Sequence, residues 1–368
     1  MLILAFESSC DETSVSVVEA KDGRFTVKSN MIASQIETHR LYGGVVPEIA
    51  SRAHIEAISE LTYGALGTAE VAMTDIDAVA VTSNPGLIGA LLVGVNFAKA
   101  LAAAYGKPLV PVDHIKGHVA ACYLNEGEVP KPPFIALAAS GGHTGIYLVR
   151  DYTDFAEIGT TRDDAIGESF DKIGRIIGIP YPAGRGFDEL ATEGFKLATG
   201  LDTGFYEAYP KTEAYRSDDY PLPSPAMKDG SLDFSFSGLK TAAINLLNKF
   251  EMKKTEISRP LFAAKYTYMA VEAVAHQLSS ALEKYPECSL SVSGGVAANS
   301  HLRRRLQSVT EKLKRKLFIP PVSLCGDNAA MIAAAAYYNI QKGIYADSSL
   351  NASASDSITR ENIKQTDR

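Results

Sequence analysis

A short apolar run, a polar turn and a second apolar run occur twice in this chain, and that repetition restricts its fold more than any other feature. The first copy runs through Leu2-Ile3-Leu4-Ala5-Phe6, stops at Glu7-Ser8-Ser9-Cys10-Asp11-Glu12-Thr13, and resumes in partial alternation over Ser14–Glu19. The second is Phe134–Ala139, then Ser140-Gly141-Gly142-His143-Thr144, then Gly145–Val149. Each reads as a strand–turn–strand hairpin. Their spacing of about 130 residues admits an internal duplication, or a chance likeness of short strands. Two further strand-like runs, Ala78–Thr82 and Leu109–Val112, flank an Ala/Gly-rich helix that starts after Asn84-Pro85-Gly86. Strands alternating with helices point to an α/β chain, and 368 residues suggest two domains.

The second half is less even. Residues 151–260 are irregular and rich in Gly, Pro, Tyr and charge, 261–282 carry a helical pattern, and Leu290–Asn299 form another strand–Gly–Gly–helix unit. From Ser348 onward the chain is polar and low in complexity, which predicts a disordered tail. The Leu87–Ala104 stretch is apolar but interrupted by Gly89, Gly94, Asn96 and Lys99, so it reads as a buried helix rather than a membrane span. Four scattered cysteines without a CxxC pair fit a reducing cytosol, and the start of the chain carries neither a secretory nor a transit signal. A cytoplasmic protein with no membrane partner is expected. The net charge of −7 is wrong for a chain that grips nucleic-acid backbone by bulk charge, so any such contact needs a local patch or a partner protein.

Three turns follow apolar strands: Ser8–Thr13, Ser140-Gly141-Gly142 and Ser293-Gly294-Gly295. Successive backbone N–H groups at such turns can cradle a phosphate; one alone is more simply a tight turn, whereas three suggest a nucleotide site. There is no GxxxxGK[ST] and no GxGxxG opening the first helix, which excludes a P-loop and leaves a dinucleotide site unsupported. His114 and His118, four apart, would lie one above the other on a helix and could share a metal, or be plain surface or capping residues. Ile115 stands where a metalloprotease HExxH requires Glu. Asp327 is the candidate third ligand, with a simple helix N-cap as its alternative. Arg303-Arg304-Arg305 with Lys312, Lys314, Arg315 and Lys316 decorate an amphipathic helix, read either as a solvated face or as a stripe for RNA phosphates.

Taken together, these segments resemble one family, the universal tRNA A37 threonylcarbamoyltransferases of bacterial type, formerly called O-sialoglycoprotein endopeptidases. The matching segments are Phe6–Thr13, Tyr42–Glu48 through Ser51-Arg52-Ala53-His54, Asn84-Pro85-Gly86-Leu87, the His114/His118 pair and Ser140–Thr144. They continue through Asp163-Asp164-Ala165, Gly167–Lys172, Phe236–Thr241, Gly294–Asn299 and Asp327-Asn328, in family order over roughly residues 1–340. Two places depart: Tyr181-Pro182-Ala183-Gly184-Arg185 where relatives commonly read YPGGP, and Cys325-Gly326-Asp327-Asn328 where many read CTDN.

The resemblance implies an actin-like ATPase (Hsp70/sugar-kinase) fold, with two duplicated α/β lobes and a nucleotide cleft. The expected division is residues 1–130 as one lobe, joined by a helix at about 329–345, then 131–328 as the second, then a tail over 346–368. It further implies a divalent metal, iron ahead of zinc, on His114, His118 and Asp327. Substrate would bind at Ala138, Ala139, Ser140, Gly141, Gly142, Asp171, Gly184, Asp188 and Asn299, with Asp11 and Glu12 as catalytic candidates. The implied reaction transfers a threonylcarbamoyl group from threonylcarbamoyl-AMP to N6 of adenine 37 in tRNAs reading codons that begin with A. A catalytically inactive paralogue and a small P-loop ATPase are the expected protein partners. A small-molecule kinase or ATPase, a non-catalytic tRNA- or protein-binding scaffold, and a protease remain rival readings, since fold alone does not set function.

Overall fold

Two mixed β-sheets with the same strand order and the same strand directions organise the computed structural model, which describes residues 1–217, 220–227, 229–355 and 357–361. The first half contains β1 (Leu2–Glu7), β2 (Glu12–Lys21), β3 (Arg24–Ser34), α1 (Ile36–Arg40), α2 (Pro47–Thr68), β4 (Ala78–Asn84), α3 (Ile88–Tyr105), β5 (Leu109–Asp113) and α4 (His114–Ala120). The second opens with β6 (Phe134–Ala139), β7 (Thr144–Asp151) and β8 (Asp154–Thr160). It continues through α5 (Ile166–Ile176), α6 (Gly184–Thr199), α7 (Phe205–Ala208), α8 (Glu213–Arg216), α9 (Phe236–Met252) and α10 (Arg259–Lys284). The last elements are β9 (Ser289–Ser293), α11 (Ser300–Leu313), β10 (Leu317–Phe318), α12 (Ala329–Gln341) and β11 (Thr359–Arg360).

The first sheet runs β3-β2-β1-β4-β5, an antiparallel meander continued by two parallel strands. In the second, β8-β7-β6-β9-β10 repeats that arrangement strand for strand, and β11 is added beyond β8. A chance likeness of two hairpins would not reproduce the parallel strands that follow them, so the duplication reading holds. The central strands are buried on both faces, β1 and β6 almost entirely, which explains their unbroken apolar runs. The apolar Leu87–Ala104 run forms α3, whose buried face (Ala90, Leu91, Gly94, Val95, Ala98, Ala102) packs toward β4.

Helix α12 is the hub. Its first eight residues, Ala329 to Ala336, are all buried, in one apolar cluster with Ile3 and Ala5 of β1, Val110 and Val112 of β5, Ile115 and Val119 of α4, and Phe134 and Ala136 of β6. Small side chains let α12 and α4 approach closely: a Cβ on Gly117 would lie 2.6 Å from Cδ1 of Ile332. That approach carries Asp327, two residues before α12, to the start of α4. Similarly, Gly294 has φ +87°, and a Cβ there would sit 2.3 Å from the Ala139 carbonyl oxygen, so only glycine lets the turn after β9 close on the end of β6. The two Gly-Gly turns, after β6 and after β9, are thereby brought side by side.

The expectation of a disordered tail over 346–368 is corrected for its described part. Ala346 N–H donates to Leu109 O (2.9 Å), Lys99 Nζ to Leu350 O (2.9 Å), and Ser353 N–H to Ser83 O (2.9 Å). Thr359–Arg360 then pair in parallel with β8. Polar residues here are ordered by long-range hydrogen bonds, which composition does not display.

Candidate metal centre

Asp113 ends β5 and caps α4: its Oδ1 accepts from Ile115 N–H (2.9 Å) and Lys116 N–H (3.3 Å). The helix therefore begins with His114 and places His118 one turn later, their ring centroids 4.4 Å apart and both side chains buried. Asp327 faces them, Oδ1 lying 3.7 Å from His114 Nε2 and 3.3 Å from His118 Nε2. The N-cap alternative for Asp327 fails, because Asn328 fills that role by accepting from Met331 N–H (3.1 Å). The three ligand atoms lie within 4.8 Å of one another.

Glu7, at the end of β1, completes the arrangement although its sequence position assigns it no role. Fully buried, its carboxylate accepts from Ser9 N–H (2.6 Å) and Thr82 Oγ1–H (2.6 Å) and lies 3.1 Å from His114 Nδ1. Holding Nδ1 in this way turns Nε2 toward Asp327, the arrangement that orients metal-ligating imidazoles. The only available signal was an acidic residue directly continuing a fully apolar strand.

A cation fits these residues. Two imidazoles and a carboxylate converge, and the buried His118 makes no well-directed hydrogen bond, its Nδ1 having no partner and its Nε2 only the Asp327 carboxylate at 3.3 Å, an arrangement that costs free energy without a ligand. The electrostatics agree. Burial pushes His114 down, but the charges of Glu7 and Asp327 more than reverse this and raise it to about 9. Asp327 is held below the ordinary carboxylate range, burial being outweighed by His114 and His118. Burial and then the two histidine charges lower His143 to about 4; its ring lies 6.3 Å from that of His114, so the Ser140–Thr144 turn borders the centre. Sequence reading assigned His143 no role.

The remaining candidates fall into neighbouring groups. Asp11 and Glu12 sit on the turn into β2, where burial, then Asp327 and Asp11, raise Glu12 to about 10. On α5, Asp171 accepts from Ala183 N–H (2.7 Å), which fixes the loop leading to Gly184, the first residue of α6. Burial, with smaller contributions from Asp11 and Glu168, raises Asp171 to about 6. Asp188 and Asn299 meet at the start of α11, Asp188 Oδ1 accepting from Ser300 N–H (3.0 Å) and Asn299 Oδ1 from Leu302 N–H (2.8 Å). Ala138 and Ala139 end β6, and a Cβ on Gly141 or Gly142 would meet nothing within 4 Å, so there is open space beside this turn.

The raised Asp171 value has a testable consequence. A carboxyl whose folded pKa exceeds its unfolded one binds protons more tightly when folded, so its ionisation penalty is absent below about pH 4, grows toward pH 6, and is constant above. Wild-type stability relative to Asp171→Asn should therefore improve as pH falls from 7 to 4.5, read as the difference in thermal midpoints. A pH-independent difference contradicts the burial assigned to this carboxyl.

Other motif residues prove architectural. Asp163 caps α9, accepting from Phe236 N–H (2.8 Å) and Ser237 N–H (3.1 Å), and Asp164 pairs with Lys172 (3.1 Å) and Lys240. Four of the seven cations in the RNA-stripe reading have partners within the chain, two of them carboxylates. Arg303 donates to Pro320 O (2.8 Å), Arg304 lies 4.6 Å from the Phe205 ring centroid, Arg305 pairs with Glu272 (2.7 Å), and Lys316 pairs with Glu128.

Comparison with known proteins decides the family. The TsaD family model, described as tRNA N6-adenosine threonylcarbamoyltransferase, matches residues 26–334. The chain belongs to this family. It is 46% identical over 351 residues to the tRNA N6-adenosine threonylcarbamoyltransferase of Staphylococcus haemolyticus, covering 95% of this chain and 94% of the relative. The corresponding protein of Clostridium perfringens is 45% identical, covering 95% and 96%. Among solved structures, full-length HypF in a phosphate- and nucleotide-bound form superposes with a TM-score of 0.50 at 15% identity, covering 93% of this chain and 46% of HypF. HypF of T. kodakarensis gives 0.51 at 12%, covering 95% and 48%. These likenesses concern fold alone, and with the repeated sheets they agree with the actin-like fold that the sequence resemblance implies.

Proposed function

We propose that this family member transfers the threonylcarbamoyl group from threonylcarbamoyl-AMP to N6 of adenine 37 in tRNAs reading codons that begin with A. The observation that carries the reading is the convergence of His114, His118 and Asp327, oriented by Glu7, beside the open Gly141-Gly142 turn in a chain that shares nearly half its residues with transferases of that name. In the reaction the N6 amine forms a bond to the carbamoyl carbon, the bond from that carbon to the phosphate oxygen breaks, AMP leaves and N6 loses one proton. The exocyclic amine is a weak nucleophile because its lone pair is delocalised into the ring.

A divalent cation, iron ahead of zinc, would be held by His114, His118 and Asp327 and would supply Lewis-acid polarisation and neutralise charge on the departing phosphate. The chain's own groups do the rest. Gly141 and Gly142 N–H groups hold phosphate, and the end of β6 at Ala138–Ser140 forms the floor beneath it. Asn299 Nδ2 and the second oxygen of Asp188, left over from capping α11, read the nucleoside. Asp171 and Gly184 shape the opposite wall, and Asp11 and Glu12 position the amine. Adenine 37 lies in a single-stranded loop, so it can be splayed into the cleft without melting a duplex. Action in the cytoplasm, with an inactive paralogue and a small P-loop ATPase supplying the tRNA affinity that a net charge of −7 does not, completes the reading.

The test is reconstitution with threonylcarbamoyl-AMP, ATP, tRNA and the companion proteins, followed by mass spectrometry of tRNA nucleosides. Threonylcarbamoyladenosine at position 37, with AMP released in equal amount, is expected. Release of ADP against a panel of sugars or acids, with no modified nucleoside, would favour the kinase rival instead.

A further inference from the structure

The residues after α12 do more than end the chain. Ala346 bridges Leu109 on the outer edge of β5, and Ser353 N–H reaches Ser83 O at the end of β4, so this segment first lies along the first sheet. It then crosses to the second, where Thr359 and Arg360 pair with Ala156 and Glu157 of β8. There Arg360 Nη2 grips both oxygens of Asp233 (2.8 and 2.7 Å), whose side chain is 1% exposed, and Glu361 pairs with Arg150. Between these anchorages, Ser357 meets Asp113: its Oγ–H donates to Oδ2 at 2.7 Å and its N–H at 3.3 Å. The other oxygen of the same carboxylate caps α4, whose first residue is His114.

We infer that residues 346–355 and 357–361 belong to an interlobe strap, and that Ser357 is a positioning residue that fixes the Asp113 cap and with it the two histidines of α4. The juxtaposition supports this division of labour. Asp113 Oδ2 is shared by Asn84 Nδ2 (2.7 Å), from its own sheet, and by Ser357, the contact that comes from the strap. A carboxylate held from both sides presents Oδ1 to Ile115 and Lys116 in one orientation; held by Asn84 alone, it can rotate, and the first turn of α4 frays. Arg360 supplies the tension at the far end, because Asp233 is buried and its remaining cation, Arg162, belongs to the second sheet's own loops. The cation-affinity part of this inference rests on the metal reading of His114 and His118; the strap itself does not.

Hydrogen–deuterium exchange and Zn²⁺ titration on the full chain separate the two. Ser357→Ala should raise exchange at Ile115 and Lys116 about fivefold, the value of one hydrogen bond, with the β1–β2 hairpin unchanged. Ser357→Thr, which keeps the hydroxyl, should restore protection. Arg360→Ala should raise exchange at Ser353, across 357–361, and at Ile115 and Lys116 together. Zn²⁺ should dissociate about tenfold more readily from Ser357→Ala than from wild type, as when groups behind a ligand are lost. Unchanged exchange at Ile115 and Lys116 in both Ser357→Ala and Arg360→Ala overturns the inference. A wild type that fails to bind Zn²⁺ counts against the metal centre, and the exchange data still judge the strap.

Discussion

Asp327→Ala is expected to lose bound metal and to slow threonylcarbamoyl transfer by about a hundredfold or more, with the fold intact. The carboxylate is one of three converging donor groups, and removing it leaves His114 and His118 without the anion that faces them at 3.7 and 3.3 Å. The helix that follows does not depend on it. Asn328 caps α12, and the buried face from Ala329 to Ala336 anchors that helix to both sheets. Thermal unfolding of the two metal-stripped proteins should thus be similar, while the metal content of the variant as purified, by plasma mass spectrometry, falls. Transfer near the wild-type rate by metal-free variant protein would remove the Lewis-acid role altogether.

The second large effect belongs to Glu7. Its buried carboxylate serves three groups, Ser9 N–H, Thr82 Oγ1–H and His114 Nδ1, and so ties the first turn, β4 and α4 together. Burial opposes its ionisation, but the charge and hydrogen bond of His114 prevail and hold its pKa below the usual range. Glu7→Gln keeps the volume and replaces one acceptor with a donor, so His114 Nδ1 loses its charged partner and is left with the Ser9 hydroxyl (3.1 Å). Metal affinity should fall about 10–100-fold, the usual loss when the group behind a histidine ligand is changed. Glu7→Leu removes the buried acceptor of Ser9 N–H and Thr82 Oγ1–H and the charged partner of His114, and should cost about 3–5 kcal/mol of stability, read by denaturant unfolding. If Glu7→Gln binds metal as tightly as wild type, something other than Glu7 aims the His114 ring.

Much of this arrangement was legible in the sequence because it depends on local pattern. The twin hairpins are short apolar runs around polar turns, and their doubly buried strands read clearly. The histidine pair could be placed on a helix from its spacing alone. Other elements left no such trace. Strand β3 is mostly exposed, so alternation is weak along Arg24–Ser34, and it is ordered by pairing with β2 rather than by its own composition. Asp327 and Asn328 are adjacent residues that both favour helix caps, and only tertiary packing decides that Asn328 caps while Asp327 faces the histidines. Glu7 looks like the first residue of a polar turn, and its burial follows from what β4 and α4 bring to it. The strap failed for the same reason: Ser353, Ser357 and Arg360 find their partners far away in the chain, and a Ser/Asp/Asn-rich stretch carries no local sign of them.

The claim on which the account stands is that one divalent cation is held by His114, His118 and Asp327. X-ray absorption at the edge of the metal carried by the full-length protein tests it most directly. The prediction is a single metal per chain whose spectrum shows two imidazole ligands and a carboxylate oxygen, with the imidazole signal lost in a His114→Ala, His118→Ala double variant. A spectrum without imidazole scattering, or one unchanged in the double variant, would place the metal elsewhere and contradict the proposed centre.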